Sequence, residues 1–247
     1  MTAPAESIVF EGLRKSYGGR EVLAGVSAAI RAGEIFAIVG PSGAGKTTIL
    51  RLLDLLEGVG GGRIAYDGRE VHFGDPEALA QRRRMAMIMQ NPVMFSATSF
   101  DNVAYGLWLR GLDEAEIRGR VFAALDFVGL LEAAGQRSDR LSGGEQQRLA
   151  FARAAVLRPK VLFLDEFTAN LDPANVRALE EATLRHRAET GCTTVIVTHN
   201  LLQAKRLADR VAFLLDGRFV EVSPTHTFFE DPARPETRAF LSGELAF

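Results

Sequence analysis

Gly40-Pro41-Ser42-Gly43-Ala44-Gly45-Lys46-Thr47 has the spacing G-x-x-x-x-G-K-[ST]. Glycines let successive backbone N–H groups turn inward as an anion nest. A helix starting near Gly45 aims its positive end at the same point. Lys46 is then placed to reach the outer phosphates of a nucleotide, and the Thr47 hydroxyl to ligate Mg²⁺; Thr48 is counted with the same loop. The competing reading, a plain glycine-rich turn between strand and helix, is disfavoured by the complete motif following the apolar run Ile35–Val39. A second group is Val161-Leu162-Phe163-Leu164-Asp165-Glu166, an apolar run ending in two acids. Asp165 suits a carboxylate on the Mg²⁺ side, and Glu166 a base that orients the attacking water. An acidic pair after a strand also serves as a loop or helix cap; the phosphate loop tips the choice towards chemistry. The third group is Leu141-Ser142-Gly143-Gly144-Glu145-Gln146-Gln147-Arg148. Free N–H groups where Ser142-Gly143-Gly144 opens a helix can hold another phosphate. Ser142 with Glu145 three residues on reads equally well as a capping box.

Four short, almost purely apolar runs precede these groups: Ile35–Val39, Met85–Met89, Val161–Leu164 and Val195–Val197. Such runs read as strands buried on both faces, as in a parallel sheet. Each leads directly into polar candidates: the glycine loop, Gln90, Asp165-Glu166, and Thr198-His199. Ligands of open parallel sheets bind at that end of the strands. Helices are expected between the runs. Asp113–Val128 carries Ile117, Val121, Leu125 and Val128 as an amphipathic stripe, and Gly143–Leu157 and Pro173–Ala188 also read as helices. Near the start, Ile8–Leu13, Val22–Ile30 and Arg63–Tyr66 predict short antiparallel strands, with turns at Gly18-Gly19, Ala32-Gly33 and Asp67-Gly68. Asn91 to Arg140 shows helical patterns and no convincing strand.

The 247 residues are 47% apolar and 24% charged, with a net charge of −2, which suits an ordinary globular core. That balance excludes a dominant nucleic-acid footprint. Cys192 is the only cysteine, so neither an intrachain disulfide nor a cysteine zinc site can form. Met1 to Phe10 lacks the basic start of a secretory signal. No apolar stretch approaches the ~18 residues that a spanning helix needs.

The order of phosphate loop, Gln90, LSGGEQQR, the VLFLDE strand and His199 resembles the nucleotide-binding subunit of ABC transporters over nearly the whole chain. The resemblance implies an α/β fold: a P-loop NTPase core of ABC type with a parallel sheet, an N-terminal antiparallel β-subdomain and an inserted helical subdomain. The expected division is one domain over 1–247, with core 1–90 and 141–247 and helical segment 91–140. It also implies an ATPase using ATP and Mg²⁺. Ser142, Gly143 and Gly144 would then contact ATP held by the Lys46 loop of a second copy, giving an ATP-dependent head-to-tail homodimer.

Other positions carry over individually. Tyr17 matches the aromatic that stacks on adenine, although a lone tyrosine is usually packing. Gln90 matches the loop glutamine that senses Mg²⁺ and water, and His199 the histidine that contacts the γ-phosphate. Asp172 matches the acidic loop at the dimer interface, or else caps a helix before Pro173. His72, His186 and His226 read as surface or packing residues. Phe167 departs from the family, which usually has proline after the catalytic glutamate. The expectation is a ring beside the water site, with Phe167→Pro keeping ATP binding and changing turnover modestly.

The family further implies membrane permease subunits, an extracytoplasmic binding protein, and a peripheral position on the cytoplasmic face of the membrane. Gln90–Phe95, with Val93, Met94 and Phe95 exposed, and Ser99–Gly106 are the expected permease groove; ordinary subdomain core is the alternative. Asp101–Gly106 resembles importers of the phosphate and tungstate groups, and Thr198–Ala204 and Phe240–Leu245 are similar to tungstate importers; tungstate is favoured over phosphate or molybdate. An exporter ATPase would have the same cassette. A DNA-repair or translation ATPase would need a coiled coil or a second cassette. A kinase or GTPase would leave LSGGEQQR and His199 unexplained.

Overall fold

The computed structural model describes residues 6–244; Met1 to Ala5 and Leu245 to Phe247, and with them the end of the Phe240–Leu245 stretch, lie outside them. The chain opens with β1 (Glu6–Tyr17) and β2 (Arg20–Arg31), twelve residues each and therefore longer than the alternation predicts. They pair antiparallel around Gly18-Gly19. Then follow β3 (Ile35–Val39), α1 (Lys46–Leu53), β4 (Gly61–Tyr66), β5 (Arg69–Glu70), α2 (Pro76–Arg82) and β6 (Met85–Ile88). The helical segment contains α3 (Ser99–Leu109) and α4 (Glu114–Phe127). After it come α5 (Gly143–Ala155), β7 (Val161–Asp165), α6 (Pro173–Thr190), β8 (Thr193–Val197) and α7 (Leu201–Leu207). The chain ends with β9 (Arg210–Leu215), β10 (Arg218–Pro224), α8 (Thr225–Glu230) and α9 (Pro235–Leu241).

The strands form two sheets. β2-β1-β4-β5 is antiparallel, and β10-β9-β3-β8-β7-β6 is parallel except for its β10 edge. All four predicted apolar runs are strands of the second sheet. Met85–Met89 is trimmed by one residue, so Gln90 stands two beyond the strand end. A fifth buried strand, β9, was not among the expected runs, although Val211–Leu214 is apolar and followed by Asp216-Gly217. Ala32-Gly33 also does something other than close a hairpin, because it carries the chain from one sheet to the other.

The parallel strands are buried on both faces, so alternate residues serve different cores. Phe163, Val195 and Val197 face the antiparallel sheet and α1, joining Ile49, Leu50 and Leu53. Leu162, Leu164 and Ile196 face the helical layer, joining Val103, Leu107, Val121, Leu125 and Phe151. A smaller core under α7, α8 and α9 stacks Phe213 on Phe240 at 4.4 Å. α4 begins at an Asp113 cap, and its predicted stripe Ile117, Val121, Leu125 is buried. No helix among the described residues is long and apolar enough to cross a membrane.

One buried charge makes stability depend on pH. Asp54 ends α1, where the negative end of the helix disfavours an anion. Burial pushes its carboxyl up from 3.8 to about 7, with Arg82 only partly opposing. The fold therefore prefers the neutral acid, and the unfolded chain the ion. Stability from this group is complete below the unfolded value and lost as pH rises through about 7. Asp54→Asn is expected to match wild type at acid pH and to exceed it by a few kcal/mol, ~4 at most, above neutrality. Paired urea unfolding curves across that range check this; parallel curves would refute it.

Candidate active site

β3 is buried to its last residue, and the chain must then turn at Gly40 directly under β9. A Cβ on Gly40 would lie 2.2 Å from the Leu214 carbonyl oxygen, so no side chain fits there. The loop closes into α1 at Gly45, its N-cap, which leaves the first N–H groups of the helix facing the loop. Lys46 is buried, and its Nζ donates to the carbonyls of Gly40 at 2.8 Å and Pro41 at 2.9 Å. Burial lowers its pKa, while the carboxylates of Glu166 and Asp165 oppose that shift. Pro41, Ser42, Gly43 and Ala44 line a cleft of about 450 Å³ whose opposite wall includes Tyr17. The Tyr17 hydroxyl donates to Glu57, and Thr48 also hydrogen-bonds it. Lys15 Nζ lies 5.2 Å from the ring centroid.

The acids approach from β7, two strands from β3 across β8. Thr47 Oγ1 donates to Asp165 Oδ1 at 3.0 Å, which ties α1 to the end of β7. Burial raises the Asp165 pKa, opposed first by that hydrogen bond and then by Arg51 and Lys46, while Glu166 adds to the rise. The next residue, Glu166, has φ +46, a left-handed conformation rare outside glycine. Its N–H still bonds the Val197 carbonyl at 2.9 Å, so the ladder to β8 runs on through the turn. His199, just past β8, brings Nδ1 to 3.1 Å from Glu166 Oε2. Backbone strain held by a ladder bond, with an acid–imidazole contact beside it, is typical of functional positions.

The remaining sequence candidates lie elsewhere. Gln90 is exposed after β6; its neighbour Met89 accepts a 3.3 Å bond from buried Gln147 of α5. Ser142 forms the capping box with Glu145, each side chain bonding the other residue's backbone, and Ser142 and Gly143 are exposed. Asp172 caps α6 by accepting from Ala174 and Asn175 N–H. The Asn175 amide, bonded to Asp172 at 2.5 Å, occupies the space where a Gly144 side chain would be, so the starts of α5 and α6 pack together. Arg20, Glu21, Val22, Asp216 and Gly217 share the Tyr17 cleft and were not singled out by sequence. The Asp216-Gly217 turn after the apolar run Val211–Leu214 is a local hairpin signal that could have found the last two, though it carries nothing about where they arrive.

Phe167 corrects an expectation. Its ring is buried in the core under the helical layer with Ile88, Leu164 and Leu179, rather than beside the water site. The left-handed turn at Glu166 breaks the alternation of the strand, so Phe167 returns to the Leu164 side and its ring enters that core. Phe167→Ala is expected to cost about 3–5 kcal/mol, and Phe167→Pro creates the same cavity. Urea unfolding checks it; a loss below about 1 kcal/mol would contradict this packing.

The arrangement can hold a polyphosphate on the Lys46 loop. It can hold Mg²⁺ with the hard oxygen donors of Thr47 and Asp165, already in contact, a set that suits this ion. It can orient a water on the Glu166 carboxylate, which His199 contacts from beyond the end of β8. The profile of the family described as ABC transporter matches residues 23–169. The chain is 42% identical, over all its length and 90% of the relative, to the phosphate import ATP-binding protein PstB 2 of Natronomonas pharaonis. It is 40% identical to a probable anion import ATP-binding protein of Haloferax volcanii, over 95% of the chain and 86% of that protein. It is also 40% identical to the methionine import ATP-binding protein MetN of Caulobacter vibrioides, over 95% and 72%. Among solved structures, cbiO1 from Clostridium perfringens, part of the cbiONQ transporter complex, superposes with a TM-score of 0.85 at 29% identity, covering 98% of this chain and 100% of that one. A dimeric ATP-binding cassette in a post-hydrolysis state, bound to ADP and Pi, superposes at 0.81 and 28%, covering 88% and 98%. The chain belongs to the ABC transporter family and is an ATPase of that family.

Proposed function

We propose that this ATPase drives import of an oxyanion by closing and reopening a homodimer. The observation that supports it most is the meeting, at the C-terminal ends of β3, β7 and β8, of the Lys46 loop, the Thr47–Asp165 bond and the Glu166–His199 contact. Tyr17 stacks on adenine, and residues Gly40 to Thr48 cradle the phosphates, with Lys46 neutralising their charge. Thr47 and Asp165, joined by Gln90 from beyond the end of β6, would hold Mg²⁺, which would offset the charge on the outer phosphates. Glu166 accepts the proton of a water that attacks the γ-phosphorus as the bond to the β-phosphate oxygen breaks. His199 holds Glu166 and the γ-phosphate in register. Ser142 and Gly143, exposed at the start of α5, with the half-buried Gly144, complete the site of the second copy, and Asp172 crosses between the two. Bound γ-phosphate thus biases a two-state dimer.

The chain acts as one domain over 1–247, with residues 91–140 as the helical insert. That insert meets permease subunits at the cytoplasmic face of the membrane, and an extracytoplasmic binding protein delivers the substrate. Its surface offers the apolar side chains that such a contact needs. Val93 is 74% and Leu109 73% exposed, and Phe95 and Tyr105 are exposed with ring centroids 4.5 Å apart. Met94, expected on this surface, instead packs partly into the core.

For the substrate, the likeness of Thr198–Ala204 and Phe240–Leu245 to tungstate importers favours tungstate. The phosphate and anion import relatives support the anion class and make phosphate the second reading. Elemental analysis of tungsten, molybdenum and phosphorus in a host lacking the gene, complemented with wild type or Glu166→Gln, tests this. Loss of tungsten rescued only by wild type is the expected result. Loss of phosphorus instead would transfer the assignment to phosphate, and no change in any of the three would remove the oxyanion reading.

A further inference from the structure

Behind the Glu166–His199 contact lies a buried polar network that the hydrolytic chemistry does not use. Gln203, on α7, is fully buried. Its Nε2 donates to Thr168 Oγ1 at 2.7 Å and to Glu180 Oε1 of α6 at 3.4 Å. Arg206, one turn further along α7, grips the same Glu180 through Nε at 2.8 Å and Nη2 at 2.7 Å. Glu180 is buried as well. The Gln203 Oε1 atom has no hydrogen-bond partner among the described residues. A leucine would fill this interior position without that standing cost.

The network touches both segments that carry the acid–imidazole contact. Thr168 is two residues past Glu166, and Gln203 is four past His199. The Asn200 side chain caps α7 by accepting from Gln203 N–H at 3.1 Å, and Asn200 N–H bonds Thr198 Oγ1 at 3.0 Å. His199 is itself exposed, and its 3.1 Å contact with Glu166 is a single one. An exposed side chain held by one contact does not set its own position; the backbones beneath His199 and the half-buried Glu166 do. Those backbones are a left-handed turn after β7 and the loop entering α7, and the Gln203 amide bridges them.

We propose that Gln203 is a positioning residue: by bridging Thr168 and Glu180 it holds α7 in the register that keeps His199 against Glu166. This rests on the roles proposed above for Glu166 and His199. Glu180 and Arg206 anchor the bridge to α6, and Thr168 is the end that reads the Glu166 turn. The unpartnered amide oxygen is what remains when the group is kept for its donor.

The test uses the full chain with steady-state ATP hydrolysis, equilibrium ATP binding and thermal unfolding. Gln203→Leu is expected to lower kcat about tenfold and leave KM for ATP within about twofold. Thr168→Val, which deletes one hydroxyl at constant shape, is expected to lower kcat about threefold, and the double variant to be no slower than Gln203→Leu alone. A residue serving only core stability would move the unfolding temperature and leave kcat per folded molecule unchanged. Wild-type kcat in Thr168→Val, or simple multiplication of the two effects in the double variant, overturns the proposal. If Gln203→Leu fails to fold, Thr168→Val alone decides it. Glu166→Gln run alongside separates the two levels. Normal turnover in that variant would remove the reading of the site, whereas loss of turnover there with unaffected Thr168→Val would remove only the role of Gln203.

Discussion

Replacing Glu166 with glutamine is expected to lower kcat for ATP by about 10²–10⁴-fold while ATP affinity stays within about threefold. The substitution keeps the shape and one acceptor oxygen, so it can still meet His199, whose Nδ1 lies 3.1 Å from the carboxylate. What it removes is the ability to take a proton from water. The backbone should not respond, because the left-handed turn at Glu166 is held by its own N–H to the Val197 carbonyl, which the side chain does not touch. If ATP closes the dimer as proposed, the closed form should outlive its normal turnover, so the variant should run as a stable dimer in ATP and as a monomer without it. Single-turnover hydrolysis and sedimentation in saturating ATP check both halves. Turnover within about threefold of wild type, or a monomer under saturating ATP, would contradict the assignment.

The second large effect is expected from Lys46→Met, which should weaken ATP binding about 100-fold or more by removing the charged donor from the phosphate loop. Methionine fills most of the buried volume, so the unfolding temperature should change little by comparison. The lysine also gives binding a pH dependence of definite sign. Burial lowers its pKa, so the neutral form becomes populated at lower pH than for an ordinary lysine. Only the charged form neutralises phosphate, so ATP affinity should fall as pH rises through that lowered value, and Lys46→Met should abolish this limb. Nearby Glu166 and Asp165 oppose the shift, so Glu166→Gln should move the limb to lower pH. Equilibrium nucleotide binding against pH measures all three, and an unchanged alkaline limb in Lys46→Met would assign it to another group.

Much of this was legible in the sequence because the local rules and the tertiary demands coincide. The phosphate loop needs residue types at fixed spacing within eight consecutive positions, so Gly40 to Thr47 could be read directly. β3, β7 and β8 are buried on both faces, and β3 and most of β7 and β8 could be seen as apolar runs. The Asp113 cap and the stripe behind it follow from helical periodicity. Phe167 shows where this stops. The family resemblance suggested a ring near the reacting water, but a residue's side of the chain depends on the turn before it, and Glu166 takes an unusual one. The β9–β10 hairpin shows the same limit: its turn was written locally, its destination beside Tyr17 was not.

The sequence by itself determined the chemistry on offer, that is, a phosphate loop, two acids, an imidazole, and the strands that end at each. Only the tertiary structure decided which of these meet. It brought Thr47 to Asp165 across 118 positions of chain, set Gly40 under Leu214, and left Ser142 and Gly143 exposed at the start of a capped helix. It also revealed that Gln203, Thr168 and Glu180 form one buried network. The reason is physical. Spacing along a chain constrains neighbours within a turn or a strand, whereas contacts between strands and helices are set by how buried faces pack and by which polar groups must find partners once water is excluded.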